Sequence, residues 1–380
     1  MHERSERVLF LDFMRGFAVA IMVMGHSIDS VLSLDFRTTE VFRLYDAVRG
    51  FTAPMFLFIS GFAFSIATEK RWEQYLVPSA SSVKRFLKLI FLLATGYALH
   101  FPFLSFNKIV HDTKPEEYAQ FFQVDVLHCV AVTMLLLHVL MLITRTPRAF
   151  AISALFITIG IILATPLVWA RDFASVVSPG VTPYLNQKQP SIFPLFPYAA
   201  FLIAGTVIGH LYLEARRLGT ESVFFKRIVG LSFACGISGV LFDLVPVILY
   251  PPHDYWKTSP NFFLVRLSII LLLTAGFHYA RRMPAAIGSQ LVRLGQASLI
   301  VYVVHLIIVY GSSANDGLMQ VLGQTLAYPE AFIVGLCVLS GMIFLVHARE
   351  YLRTHHHMPL RFAQIALAGT LLFNFFTKPW

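Results

Sequence analysis

Long apolar stretches recur from one end of the chain to the other, and short polar segments separate them. Each stretch holds about 20 residues, which as an α-helix is long enough to cross a hydrocarbon core of roughly 30 Å. The pattern predicts an all-α, polytopic integral membrane protein with eleven transmembrane helices. The predicted spans lie near residues 8–29, 51–68, 86–104, 121–143, 149–169, 194–214, 228–250, 262–280, 295–312, 329–347 and 361–377.

The composition supports a membrane protein and excludes a soluble one. Hydrophobic residues make up 57% of the chain and charged residues only 13%, whereas a soluble globular protein carries about 25% charged residues. In a soluble protein, the net charge of +9 would suggest a nucleic-acid partner. Here basic loops lying against an anionic inner leaflet explain that charge, so we predict the lipid bilayer as a partner and no nucleic acid.

The distribution of lysine and arginine predicts the orientation. If the N-terminus is cytoplasmic, the inner segments include "EKRW", "SSVKR", "EARRL" and "YARRM", whereas the predicted outer loop over residues 312–329 has no lysine or arginine. This bias matches the positive-inside rule and places the C-terminus outside. No soluble domain is expected, and a single transmembrane domain is predicted to cover residues 1–380.

Ionisable residues inside the predicted spans indicate where a functional site lies, because each costs about 2.5–3.5 kcal/mol to insert. His26 and Asp29 lie near the outer end of the first span, three residues apart and on one helix face. Asp125 and His128 have the same spacing at the outer end of the fourth span, and His305 lies beyond the middle of the ninth. We predict that these side chains form one outer layer of carboxylates and imidazoles.

Histidine is the natural base for removing a proton from a hydroxyl or ammonium group at neutral pH. A carboxylate bound to its other nitrogen would fix the tautomer, although His26 and Asp29 could instead form a structural hydrogen bond between helices. At the inner end of the same span, Asp12 and Arg15 could form an ion pair that orients the helix. The sequence contains no compact metal-ligand set, so no metal is expected. Serine hydrolase, nucleotidase and dehydrogenase motifs are also missing from the sequence.

Several stretches together resemble a known family. "RVLFLDFMRGFAVAIMVMGHSID" followed by "APMFLFISGFAFSIA" is similar to the opening of the heparan-α-glucosaminide N-acetyltransferase family, within the transmembrane acyltransferase superfamily. "VDVLHCVAVTMLLL", "FPLFPYAAFLIAGTVIGH" and "LGQASLIVYVVHLIIVYG" follow in the family's order, so the resemblance covers about residues 7–312. It implies an eleven-span enzyme that transfers an acyl group, usually acetyl, from cytosolic acyl-CoA to a sugar across the membrane.

The resemblance also implies which residues contact the donor. Arg15, with Asp12, lies at the inner end of the first span, where the phosphates of acetyl-CoA would bind. Ser298, Tyr302 and His305 match the family's "SLxVYxxH" pattern and are expected to line the central cavity.

One departure from the family concerns the base. The eukaryotic lysosomal branch carries its proposed catalytic histidine in the loop after the first span, but here that loop, "VLSLDFRTTEVFRLYDAVRG", holds no histidine. Bacterial polysaccharide O-acyltransferases carry a histidine late in a similar first span. That comparison favours His26 as the general base and a bacterial cytoplasmic membrane as the location.

The sequence leaves three hypotheses. The leading one is an acetyltransferase in which His26, helped by Asp29 or by the Asp125–His128 pair, activates a glycan hydroxyl or amine. A proton-coupled transporter or flippase of a polar lipid or sugar would use buried ionisable groups equally well, and a catalytically inactive relative is the third. Saturable binding of acetyl-CoA separates enzyme from transporter. A homo-oligomer is left open, with "GISG" as a small-residue stretch that could support helix packing.

Overall fold

The computed structural model describes residues 8–245, 250–280 and 284–378. These residues form eighteen α-helices and two short 3-10 helices, Leu34–Thr38 and Thr182–Tyr184, and no β-strand among them, so the predicted all-α class is confirmed. The α-helices are α1 (Leu9–Val31), α2 (Glu40–Arg49), α3 (Thr52–Glu69), α4 (Trp72–Tyr75), α5 (Ala80–Leu99), α6 (Phe106–Asp112), α7 (Pro115–Phe121), α8 (Val126–Thr144), α9 (Pro147–Ala170), α10 (Leu195–Arg217), α11 (Glu221–Asp243), α12 (Tyr255–Thr258), α13 (Pro260–Tyr279), α14 (Ala285–Gln296), α15 (Ser298–Tyr310), α16 (Leu318–Leu322), α17 (Tyr328–His355) and α18 (His357–Thr377).

A helix overlaps each of the eleven predicted spans, but fewer helices qualify as spans by themselves. Within the described residues, eight helices are long and apolar enough to cross a membrane, or nine if the bent pair α14 and α15 counts as one span. Helix α5 carries Lys84, Arg85 and Lys88 in its first nine residues, so its apolar part is short. The chain therefore has several membrane-spanning helices, while the number eleven and the orientation stay predictions.

The helices form two compact units, which we describe separately; that the whole chain is one domain stays a prediction. In the first unit, residues 8–52, 99–121 and 284–378, helix α1 packs against α14, α15 and α17. The backbones of α1 and α14 touch. A Cβ added to Gly16 would lie 1.9 Å from the carbonyl oxygen of Leu291, and one added to Gly295 would lie 2.6 Å from the carbonyl oxygen of Asp12. Only glycine permits this approach.

In the second unit, residues 53–98, 122–245 and 250–280, helix α10 packs against α8, α9 and α11. Helix α3 also touches α10 backbone to backbone, because a Cβ at Gly205 would lie 2.0 Å from the carbonyl oxygen of Phe58. The hydroxyl of Thr206 donates a hydrogen bond to the carbonyl oxygen of Gly61 at 3.2 Å. The stretches "APMFLFISGFAFSIA" and "FPLFPYAAFLIAGTVIGH" therefore meet through small residues.

The contact between α1 and α14 leads to a stability prediction. Gly16→Ala places a methyl group against a backbone carbonyl that cannot yield, so the helices must separate at a cost of about 1–3 kcal/mol. The matched control is Gly341→Ala on α17, because nothing lies within 4 Å of its added carbon. Thermal unfolding in detergent should show a lower transition for Gly16→Ala alone. Equal transitions for the two variants would contradict the packing.

Candidate functional site

The structure brings together two of the predicted site residues, His26 of α1 and His305 of α15. Nδ1 of His26 lies 3.0 Å from Nε2 of His305, and the ring planes are nearly parallel, at 13°. His305 is fully buried, and its Nδ1 lies 2.8 Å from the carbonyl oxygen of Val301. The two imidazoles and the carbonyl therefore form a continuous chain of hydrogen bonds.

The carbonyl group at the end of this chain fixes the tautomers of both neutral rings. A carbonyl oxygen only accepts, so Nδ1 of His305 must carry a proton and donate it to Val301. Nε2 of neutral His305 is then an acceptor, and Nδ1 of His26 must donate to it. The remaining nitrogen of His26, Nε2, is left with its lone pair. This arrangement holds the imidazole of His26 in the form that a general base requires.

Helix α15 presents the predicted residues of its "SLxVYxxH" pattern on one face. Ser298, Tyr302 and His305 are spaced four and three residues apart in a continuous helix, so their side chains share that face. The ring of Tyr302 meets His305 edge-on at 5.8 Å between centroids, and Tyr310 meets His26 in the same way at 5.7 Å. That these residues line a substrate cavity stays a prediction.

Asp29 is bound by a cation that the sequence analysis did not assign to the site. Its carboxylate forms an ion pair with Arg49 at the end of α2, and the Arg49 guanidinium also contacts Asp46 at 2.6 Å. The hydroxyl of Tyr45 donates to the carbonyl oxygen of Gly25 at 2.8 Å and lies 3.4 Å from Oδ1 of Asp29. In the described part of the chain, the contacts of Asp29 thus tie α2 to the end of α1. Direct help from Asp29 to His26 stays a prediction.

Arg49, Tyr45 and Tyr310 are the residues near His26 that sequence reasoning missed. Tyr45 and Arg49 lie four residues apart in α2, so both face the same side of that helix. The sequence analysis predicts a loop for this segment, whereas the structure forms α2 there. The four-residue spacing of Tyr45 and Arg49 is the sequence signal for this helix face.

Asp12 and Arg15 lie at the opposite end of α1. Nη1 of Arg15 is 3.8 Å from Oδ1 of Asp12, which agrees with an ion pair one turn apart. Eleven residues separate Arg15 from His26 along the helix, or about 17 Å. Arg15 is a candidate for binding an anionic donor, a role that stays a prediction. Among the residues described, no group of three His, Cys, Asp or Glu side chains could hold a metal ion.

Asp125 and His128 meet in the second unit, where they cap the start of α8. Oδ1 of Asp125 accepts hydrogen bonds from the backbone N–H groups of Leu127 and His128 at 2.8 and 3.2 Å. Nδ1 of His128 lies 2.8 Å from the same oxygen, and its ring packs against the edge of Tyr97 at 4.3 Å and against Gly96. The pair therefore has a structural role as a helix cap. Its predicted catalytic role, and its place in one layer with His26, stay predictions.

The helical fold and the paired imidazoles define a multi-pass integral membrane protein with a candidate acid–base site. Residues 7–239 match the model of the family described as "Heparan-alpha-glucosaminide N-acetyltransferase, catalytic". Because this match covers more than half of the 380 residues, the chain belongs to that family, which indicates a membrane acyltransferase. A comparison with curated proteins finds no match.

The matched region confirms the family resemblance predicted from the sequence and ends within α11. It includes His26, Asp29 and the Asp125–His128 pair. Helix α15 lies beyond it, although the predicted resemblance extended to about residue 312. The evidence for His305 therefore comes from its contact with His26 rather than from the family match.

Histidine-directed ¹⁵N NMR tests the tautomer assignment. We expect a protonated Nδ1 and an unprotonated Nε2 in His26, with its signals identified by their loss in His26→Gln. His305→Phe removes the acceptor for Nδ1–H, so the two tautomers of His26 should then mix. A wild-type His26 protonated at Nε2 would contradict the hydrogen-bond chain.

The helix cap leads to a prediction for Asp125. Asp125→Ala should lower the free energy of unfolding by about 1 kcal/mol, whereas Asp125→Asn should leave it near the wild-type value, because asparagine also caps helices. Unfolding transitions of the two variants measure this difference. If the role is capping alone, Asp125→Asn keeps full activity; an inactive but stably folded Asp125→Asn would instead assign the carboxylate a catalytic role.

Proposed function

We propose that the protein transfers an acyl group, acetyl in the simplest case, from cytosolic acyl-CoA to a hydroxyl or amine of a sugar on the outer side of the membrane. The observation that carries this proposal is the hydrogen-bond chain from His26 through His305 to Val301. It provides a fixed base within a family of membrane acyltransferases. We place the protein in a bacterial cytoplasmic membrane.

In the proposed reaction, Nε2 of His26 takes the proton from the acceptor hydroxyl or amine as its oxygen or nitrogen attacks the thioester carbonyl carbon. The new C–O or C–N bond forms, the C–S bond breaks, and the CoA thiolate leaves. His26 then returns its proton to the thiolate, so atoms and charge balance. A route through an acyl-histidine would use the same nitrogen as nucleophile.

His305 acts in this proposal as a positioning residue with an electrostatic role. When His26 is protonated, its Nδ1–H still donates to Nε2 of His305, so no hydrogen bond must break or reorient during proton transfer. The neutral acceptor also stabilises the imidazolium form. His305 thus controls the tautomer of His26 as the orienting carboxylate controls the histidine of a catalytic triad.

The two ends of α1 fit the two substrates. Arg15 lies about 17 Å from His26 along the helix and Asp12 about 21 Å, at the end that the predicted orientation places in the cytosol. Arg15 would bind phosphates of the donor there, while Ser298 and Tyr302 share the helix face of His305. The pairing of Asp29 with Arg49 supports the outer end of α1, where the acceptor is proposed to bind.

Assays of purified protein with acetyl-CoA and candidate glycans test this function. His26→Gln should lower kcat by about 10²-fold or more, the usual contribution of a general base. His253→Gln is the matched control, because His253 is exposed and its Nδ1 contacts only the nearby carbonyl oxygen of Pro251. If His26→Gln turns over acetyl-CoA as fast as His253→Gln does, His26 is not part of the mechanism.

Binding of acetyl-CoA tests the proposal independently of the acceptor. Wild-type protein should bind acetyl-CoA saturably. A protein that shows no binding at millimolar concentration, and instead couples uptake of a polar solute to protons, would be a transporter.

A further inference from the structure

Tyr310 is the last residue of α15, and its ring meets that of His26 edge-on at 5.7 Å between centroids. Its hydroxyl forms no hydrogen bond with any residue that the structure describes. Tyr310 is 37% exposed, so its side chain reaches the protein surface, and His26 is half-buried. The phenol is therefore a hydrogen-bond donor without an acceptor, next to the proposed base.

The backbone of Tyr310 is held in place at the end of α15. The side-chain amide of Gln320 donates a hydrogen bond to the carbonyl oxygen of Tyr310 at 3.1 Å. The amide of Asn315 donates to the carbonyl oxygen of Ile307, also at 3.1 Å. Gly311 ends the helix with a φ of 78°, a conformation that favours glycine. The phenol ring thus starts from a fixed point beside the imidazole, as a preorganised donor requires.

His26 and the phenol of Tyr310 share a charged neighbour in the same unit of the fold. The guanidinium of Arg49 interacts electrostatically with both groups. Arg37 interacts with the same phenol, and its Nη2 donates to the carbonyl oxygen of Asp29 at 2.9 Å, one turn after His26. The hydroxyl of Tyr310 therefore lies at the end of α1 that carries the base, near two cations that favour a negative charge.

The proposed reaction needs a donor of this kind. When the acceptor attacks the thioester, its carbonyl oxygen becomes negative, and a hydrogen-bond donor placed there contributes about 10²–10³-fold in kcat. His26 cannot be that donor, because its Nδ1 is bound to His305 and its Nε2 is receiving a proton. A tyrosine hydroxyl donates a hydrogen bond and keeps its own proton at neutral pH.

We infer that Tyr310 is a catalytic residue whose hydroxyl donates a hydrogen bond to the oxyanion formed from the thioester carbonyl. The inference rests on the proposed function, because it assigns a second group to the same reaction. The acceptor oxygen or nitrogen bonds to the carbonyl carbon while His26 takes its proton, and the carbonyl oxygen becomes negative. The carbonyl then re-forms, the C–S bond breaks, and the thiolate takes the proton from His26. Tyr310 loses no proton, so atoms and charge balance.

Turnover of acetyl-CoA by purified protein tests this role, with glucosamine as the acceptor probe because it offers both hydroxyl and amine groups. Tyr310→Phe removes the hydroxyl and keeps the ring against His26, so kcat should fall about 10²-fold. The affinity for acetyl-CoA should stay within about twofold of wild type, because the hydrogen bond forms only in the transition state. A loss of affinity with kcat unchanged would overturn the inference.

Tyr351→Phe is the matched control. Tyr351 also packs against a histidine ring, that of His355, at 4.5 Å between centroids, and within the described ranges its hydroxyl has no hydrogen-bond partner. Loss of this hydroxyl should leave kcat at the wild-type value, since Tyr351 lies at the other end of the first unit's long helix α17.

The state of His26 separates a catalytic from a structural role of Tyr310. In Tyr310→Phe, the ¹⁵N signals of His26 should show the wild-type tautomer, and thermal unfolding should be unchanged. A lower kcat that comes with a changed tautomer or a lower transition would make Tyr310 structural and overturn the inference. If Tyr310→Phe does not fold, 3-fluorotyrosine at position 310 replaces it. Its more acidic hydroxyl should raise kcat, because it binds an anion more strongly, and an unchanged kcat would contradict the role.

Two further outcomes separate this inference from the proposed function. If wild type transfers acetyl groups and Tyr310→Phe has the same kcat, Tyr310 is not catalytic and the proposed function stands. If wild type neither binds acetyl-CoA nor releases its thiol, the proposed function fails, and the role of Tyr310 fails with it.

Discussion

The hydrogen bond between His26 and His305 is the interaction on which the candidate site depends. An imidazole buried among apolar helices must satisfy its nitrogens with protein groups, because leaving a buried polar group without a hydrogen bond is costly. His305 does this with one carbonyl and one neighbouring ring. The same requirement leaves His26 with a single nitrogen for chemistry, so folding and reactivity follow from one contact.

That contact depends on how α14 and α15 lie along α1. Helix α14 crosses α1 at Gly16 and Gly295, near the end that carries Asp12 and Arg15. The chain then bends by 82° between α14 and α15. After the bend, α15 packs against the half of α1 that carries His26 and brings His305 to it. A change in the glycine contact at one end would therefore shift the imidazoles at the other.

Sequence reasoning predicted the helical class, the family and the candidate histidines, because long apolar stretches and the rare ionisable residues within them can be identified from the amino-acid sequence alone. It did not predict that His305 would bind His26, since a single span over residues 295–312 conceals the bend before Ser298. The three-residue spacing of His26 and Asp29 predicts a shared helix face. The spacing suggests that His26 and Asp29 cooperate. The ion pair of Asp29 with Arg49, however, forms because α2 folds back against the end of α1, and the spacing of residues within α1 does not predict this.

The direction of the hydrogen-bond chain has a consequence for the movement of protons. The chain ends at the carbonyl oxygen of Val301, which cannot release a proton onward. A proton received by Nε2 of His26 can therefore leave only from the nitrogen that received it, unless the rings rotate. This geometry suits a cycle in which one proton is borrowed from an acceptor and returned to a leaving group. It is poorly suited to conducting protons across the bilayer.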